Sequence, residues 1–272
     1  MDLEVVKVIK KCVSEGADAN YIRKNILPGF IHNFWTPSIA SDTDSYKQIV
    51  ETTLELANKV GAADIVERIV QGLEDESETY RRMVVETIGK VVDEFGATDI
   101  DVPLERLLVY GILNAFIEQD SDDDADVMLD GFCAVVNSLG RRMRPYIVIT
   151  CRTIKWCISD KRAVVRKQGA EAVSRILVVL KECEEERLMG YLGVVLFECC
   201  FLREESQEVL ASMLGALKAI GNFINLTSVI PSFRDLVPRL TPIMESRYEN
   251  ENVQDLIAHV RDLSFSEQKH KI

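Results

Sequence analysis

The sequence predicts an all-α fold, a right-handed α-α superhelix of stacked helix pairs without a β-sheet. Apolar residues recur in steps of three and four along nearly all of the 272 residues, and no segment shows convincing two-residue alternation bounded by turns. Glycine and proline are scarce, at 14 and 7 residues, which disfavours turn-rich all-β folds. Aliphatic residues are dense enough throughout to form a sizeable core, which excludes disorder for most of the chain.

The helical spacing predicts about six helix pairs in chain order. The first helices of the pairs are expected near 20–35, 63–73, 103–118, 144–158, 186–201 and 230–245. The second helices of these pairs are expected near 43–60, 77–95, 124–139, 161–182, 205–224 and 248–263, and a further second helix near 2–14 is expected as the end of an interrupted repeat. Four prolines lie near starts of the first helices, where a missing N–H costs little: Pro28, Pro103, Pro145 and Pro231. Pro238 and Pro242 fall inside a predicted helix and should kink it.

Three glycines divide the chain at a coarse period. Gly61, Gly96 and Gly140 each follow an apolar residue at a predicted helix end, at intervals of 35 and 44 residues. A left-handed backbone conformation at such a position favours glycine, because other residues suffer a steric penalty there. Periods of this length built from helix pairs are typical of HEAT and armadillo arrays.

A charged pair also recurs. Asp75 precedes Arg81 by six residues, and Asp160 precedes Arg166 by six, early in the second helix of a pair. This spacing is characteristic of HEAT repeats, where such side chains can pair between neighbouring repeats. We therefore expect these four residues to form an inter-repeat ladder. The alternative is coincidence within a generic helical bundle, since only two copies are clear.

We expect one solenoid domain over residues 1–265, followed by a frayed tail at 266–272. Solenoids usually end in polar capping repeats, whereas the first predicted helix begins with apolar residues such as Val5 and Val6. The sequence therefore predicts a segment of a longer array.

Composition restricts the compartment and the class of function. The net charge of -12 argues against a chain that coats nucleic acid by itself. Seven cysteines, an odd number, favour a reducing compartment, the cytoplasm or the nucleus. No secretory signal opens the chain, and the longest apolar stretch, 190–202, contains Glu198 and is too short to span a bilayer.

The sequence offers little support for catalysis or for a cofactor. The histidines, His32, His259 and His270, lie in no nucleophile or metal motif. The cysteines lack zinc spacing, and most are expected to be small buried apolar residues. The acidic run at 118–130 lacks the glycine and the terminal glutamate of a calcium loop. We expect no enzyme, no metal and no cofactor.

One segment is strongly basic. Residues 141–167 carry nine basic residues and one acidic residue, a net charge of +8 in an acidic chain. Such a segment can bind phosphates or an acidic partner surface, and it can equally be a solvated face. The candidate contacts are Arg141, Arg142, Arg144, Lys161, Arg162 and Lys167.

Local sequence resembles one family over residues 5–263. The strings that carry the resemblance are ANYIR (19–23), ILP (26–28), FW (34–35), VETTLELANKVGAA (50–63), LMG (188–190), LGVVL (192–196), LGALKAI (214–220) and PRLTPI (238–243). Together they resemble a middle portion of the large HEAT-repeat subunit of splicing factor 3b, a component of the U2 snRNP.

The resemblance implies a nuclear, non-enzymatic scaffold in pre-mRNA splicing. In that family the whole array is a superhelical clamp that helps hold the duplex between U2 snRNA and the intron branch site. The implied partners are other splicing factor 3b subunits, with U2 snRNA and pre-mRNA reached through the complex. No membrane or small-molecule substrate is implied. The alternative from another class is a general HEAT scaffold that binds peptides, of the transport or phosphatase-regulatory type.

Overall fold

Helices and helical turns form the regular structure of the part of the chain that the computed structural model describes, residues 3–122, 125–200, 204 and 206–224. The helices are α1 (Leu3–Ser14), α2 (Ala19–Tyr21), α3 (Leu27–Phe34), α4 (Pro37–Ala40), α5 (Thr43–Val60), α6 (Ala62–Ile69), α7 (Glu78–Phe95), α8 (Val102–Ile117), α9 (Ala125–Leu139), α10 (Ile147–Ile158), α11 (Ala163–Glu182), α12 (Glu186–Val194) and α13 (Gln207–Gly221). These ranges contain no strand, so the all-α prediction is confirmed.

Local chemistry explains several helix boundaries. Five polar side chains accept a hydrogen bond from a backbone N–H in the first turn and so fix where their helices start. These N-caps are Asp18 for α2, Asp42 for α5, Ser77 for α7, Asp101 for α8 and Ser206 for α13. Short 3₁₀ turns at Val70–Glu74 and Gly140–Met143 follow α6 and α9.

The expected helix at 20–35 is interrupted. A π-helical turn, Ile22–Ile26, separates α2 from α3, and the Leu27 N–H donates to the Ile22 carbonyl five residues back. Pro28 follows at the start of α3 and has no N–H with which to continue an α-helical ladder. A second π-helical turn, Val195–Cys200, extends α12.

The predicted glycine stops are present. Gly61, Gly96 and Gly140 have φ values of +97°, +76° and +52°. The Gly61 N–H donates to Ala57 at the end of α5, and the Gly96 N–H donates to Val92 at the end of α7. The left-handed conformation predicted at these three positions is confirmed.

Contacts divide the chain into two compact units, Met1–Tyr146 and Ile147–Ile272. In the first unit, α1, α5, α7 and α9 pack in that order as one layer, while α6 packs on α8. Gly89 of α7 and Gly131 of α9 lie so close that a Cβ on Gly89 would be 2.7 Å from the Gly131 Cα. Phe116 of α8 stacks on Phe132 of α9, with ring centres 4.5 Å apart, in the core between these helices.

In the second unit, α11 packs against α10 and α13, and α10 also contacts α12. None of the described helices combines the length and apolar character needed to cross a bilayer. The expected helices at 230–245 and 248–263, the kink at Pro238 and Pro242, and the tail at 266–272 lie outside the described residues. The single domain expected over 1–265 stays a prediction.

Candidate functional site

Arg81 closes the corner between the 3₁₀ turn at Val70–Glu74 and α7. Its Nη1 donates to the Asp75 carbonyl at 2.7 Å and to the Glu76 carbonyl at 3.1 Å. Its Nη2 reaches the Glu118 carbonyl, 37 residues later, at 2.7 Å. Arg81 is 6% exposed, so these bonds are largely shielded from water. A single guanidinium therefore ties its own corner to the end of α8.

Arg166 occupies the same position at the corner between α10 and α11. Its Nη1 donates to the carbonyls of Asp160 and Lys161, at 3.1 and 2.8 Å. Its Nε and Nη2 bind the two carboxylate oxygens of Glu204, 38 residues later, at 2.7 and 3.0 Å. The Glu204 side chain is only 4% exposed. Arg166 and Glu204 therefore form a bidentate salt bridge whose carboxylate is buried.

The two aspartates of the recurring motif shape the corners. Asp75 Oδ1 accepts the Ser77 N–H at 2.8 Å, and Asp160 Oδ1 accepts the Arg162 N–H at 2.8 Å. Both are turns in which an aspartate side chain caps the backbone two residues ahead. The inter-repeat ladder of Asp75, Arg81, Asp160 and Arg166 stays a prediction.

Two further arginines that the sequence reasoning missed as bridges join segments about one repeat apart. Arg23 donates from Nε to Asp64 and from Nη2 to the Val60 carbonyl, both at 2.6 Å and 41 and 37 residues away. Arg142 donates from Nε to Glu105, 37 residues earlier, at 2.6 Å. It also donates to the carbonyls of Ala97 and Ile100. The sequence signal for such bridges is an arginine that lies about one repeat length, 37 to 41 residues, from an aspartate or a glutamate.

The six candidate basic contacts fall in two units. Arg141, Arg142 and Arg144 belong to Met1–Tyr146, and Lys161, Arg162 and Lys167 belong to Ile147–Ile272. Arg141, Arg144 and Lys161 are exposed, whereas Arg142, Arg162 and Lys167 are partly buried. Arg142 forms a salt bridge with Glu105, so it has a structural role in addition to the predicted contact with a partner.

Among the described residues, the cysteines and the histidine that could in principle act in catalysis lie in the core or on the surface rather than in a shared site. Burial raises the pKa of the Cys151 thiol and of the Cys157 thiol to about 12 each. Thiols with such a pKa stay protonated at neutral pH and are poor nucleophiles. His32 is exposed on α3, while His259 and His270 lie outside the described residues. No cluster of metal-ligating side chains occurs within the described ranges.

Comparison with known proteins finds two relatives that are similar along nearly the whole chain. No protein-family model matches the sequence. The chain is 48% identical over 261 residues to the U2 snRNP component prp10 of Schizosaccharomyces pombe, a match that covers 95% of this chain and 21% of prp10. It is 30% identical over 257 residues to the U2 snRNP component HSH155 of Saccharomyces cerevisiae, covering 94% of this chain and 26% of HSH155.

The chain thus spans about a fifth to a quarter of the length of these relatives. The similarity extends along nearly the whole chain. Over the segment that it covers, the chain is similar to the U2 snRNP components prp10 and HSH155, which confirms the resemblance that its local sequence predicted.

Proposed function

We propose that this chain is a non-enzymatic scaffold segment of the splicing factor 3b large subunit, supporting U2 snRNP assembly and branch-site recognition in pre-mRNA splicing. The observation that carries the proposal is the 48% identity to prp10, which is named a U2 snRNP component, over 95% of the chain. The proposed partners are other splicing factor 3b subunits in the nucleus. U2 snRNA and pre-mRNA are reached through the complex.

The proposed mechanism is mechanical. Arg23, Arg81 and Arg142 in the first unit, and Arg166 in the second, each bridge segments 37 to 41 residues apart. Such contacts between neighbouring repeats let small rotations add along an array while the register of the repeats is kept. A scaffold of this kind closes around partners without chemistry of its own.

A segment exchange tests the proposal. The matching segment of prp10 is replaced by this chain in fission yeast, and the control receives an unrelated HEAT array of equal length. We expect only this chain to support growth and the recovery of U2 snRNA with the tagged protein. Equal recovery with the unrelated array would favour the general HEAT scaffold instead, and loss of U2 snRNA with both would contradict the proposal.

The basic segment supplies the finer proposal that an acidic partner subunit contacts Arg141 and Arg144. Both side chains are exposed, and charge reversal at the rim of an interface weakens association. Arg141→Glu with Arg144→Glu should lose one protein partner and retain U2 snRNA. The matched control, Lys24→Glu with Lys47→Glu, reverses two exposed charges elsewhere. Wild-type assembly of the first double variant would make the segment a solvated face.

A further inference from the structure

A second exposed surface differs from the basic candidates in carrying aromatic side chains. We call it the α10–α12 face, and it consists of Val148, Arg152, Lys155 and Trp156 of α10 with Arg187 and Tyr191 of α12. All six residues are exposed, including Trp156 at 48%, Val148 at 57% and Tyr191 at 41%. Exposed aromatic and aliphatic groups beside cations are the composition of protein interfaces.

Helix geometry makes this face continuous. Residues 148, 152, 155 and 156 follow steps of three and four and so share one side of α10, as residues 187 and 191 do on α12. The opposite side of α10 is buried and includes Cys151, Ile154 and Ile158. The two helices are in contact, and Lys155 Nζ lies 5.8 Å from the centre of the Tyr191 ring.

The cations of this face are available to a partner. Within the described part of the chain, Arg152 and Arg187 make no hydrogen bond or ion pair through their side chains, unlike Arg81, Arg142 and Arg166. The six residues of the face include three cations and no carboxylate, so the face itself is positive in a chain whose net charge is -12. Three carboxylates, Glu184, Glu185 and Glu186, lie beside it just before and at the start of α12.

We propose that the α10–α12 face binds an acidic protein segment that places an apolar side chain over Trp156 and Val148 and carboxylates against Arg152 and Arg187. Tryptophan, tyrosine and arginine are the residues that dominate binding energy at protein interfaces. Desolvated carboxylate–arginine bonds add orientation to the apolar contact. This inference goes beyond the proposed function and does not depend on it.

Charge and shape favour a protein over RNA as the occupant. Single-stranded RNA needs a row of cations along its backbone and several open rings for its bases. Here one face of the Tyr191 ring is covered by Lys155, and Val148 offers an aliphatic surface rather than a stacking platform. The acidic chain also repels a long polyanion more strongly than a short acidic peptide.

The test uses fluorescence from Trp156 in the full chain. The chain contains two tryptophans, and Trp35 is buried, so Trp35→Phe leaves Trp156 as the reporter. The probes are a synthetic peptide rich in glutamate and leucine, the same peptide with serine for leucine, and an oligouridylate. We expect the first peptide alone to saturate binding and to shift Trp156 emission to shorter wavelength, because an apolar side chain removes water from the indole.

Charge variants then locate the contact. Arg152→Glu with Arg187→Glu should weaken the peptide about tenfold or more, whereas the control Lys24→Glu with Lys47→Glu should leave its affinity unchanged. Circular dichroism confirms that both variants keep their helices. No emission shift with the glutamate–leucine peptide would overturn the proposal. Binding of oligouridylate in its place, lost in the Arg152/Arg187 variant, would overturn it in favour of a nucleic-acid surface.

Discussion

Arg81 and Arg166 each bind the turn that precedes their helix, but their acceptors further along the chain differ. Each guanidinium binds the carbonyls of its own turn, five and six residues back. Arg81 then reaches a backbone carbonyl, and its Nε is buried without an acceptor among the described residues. Arg166 instead meets the Glu204 carboxylate with two N–H groups. One motif in the sequence therefore supports a neutral bridge in one unit and an ionic bridge in the other.

The difference matters for stability because of what each arginine leaves behind. Removing Arg81 leaves uncharged carbonyl groups without their donor. Each lost bond costs about 1–3 kcal/mol only if water cannot reach the carbonyl in its place. Removing Arg166 leaves a carboxylate that is 4% exposed, and a buried charge without its partner costs more than a buried dipole. We therefore expect removal of Arg166 to lower the free energy of unfolding more than removal of Arg81 does, although the two arginines share one sequence pattern.

The largest expected effect is at Arg166. Arg166→Ala should lower the free energy of unfolding by about 3 kcal/mol, because the buried Glu204 carboxylate loses both bonds to the guanidinium and its neutralising charge. Urea denaturation measures the change. Adding Glu204→Gln should recover part of the loss, since the charge is then gone. A loss below about 1 kcal/mol would place Arg166 among ordinary surface pairs.

Arg81 comes next. Arg81→Ala should cost about 2 kcal/mol, from the loss of three bonds to the carbonyls of Asp75, Glu76 and Glu118. Arg81→Met keeps most of the buried stem and separates the packing contribution from the hydrogen bonds. The same urea series applies. If Arg81→Ala costs more than Arg166→Ala, the ranking of neutral and ionic bridges is wrong.

The third expected effect concerns two glycines of the first unit that differ in backbone conformation. Gly96, with φ of +76°, ends α7 in the first unit, and a Cβ there would meet nothing within 4 Å. Gly96→Ala should therefore cost about 1 kcal/mol through backbone conformation alone. Gly29 has equally open space but lies within α3, so Gly29→Ala should stabilise the chain. Thermal unfolding of both variants should shift in opposite directions.

The smallest expected effect concerns the end of α11. Glu184, rather than glycine, takes the left-handed conformation there, with φ of +62°. Glu184→Gly should raise the free energy of unfolding by about 0.5 kcal/mol, because relief of the steric penalty is partly offset by a more flexible unfolded chain. Glu182→Gly, inside the last turn of α11, is the control and should lower it. A loss with Glu184→Gly would show that the Glu184 side chain makes a contact that outweighs its strain.

The helices follow from the sequence because their signals are local. Apolar spacing predicted α5, α7 and α11 to within two residues at either end. Glycine after an apolar residue predicted the left-handed stops at Gly61 and Gly96, since the steric cost of a Cβ depends on the φ of that residue alone. The sequence correctly predicts that Pro28 lies near a helix start, but it does not predict the π-helical turn that precedes α3.

The acceptors of the arginines were decided by tertiary structure. The sequence marked Arg81 and Arg166 as equivalent, and only the stacking of repeats gave one a carbonyl and the other the Glu204 carboxylate. It also marked Arg142 as a candidate contact, and packing directed that guanidinium to Glu105. Periodicity and propensity act over a few residues, whereas these partners lie 37 or 38 residues away. Which side chains meet at that separation depends on how one helix pair packs on the next, and a spacing rule does not contain that geometry.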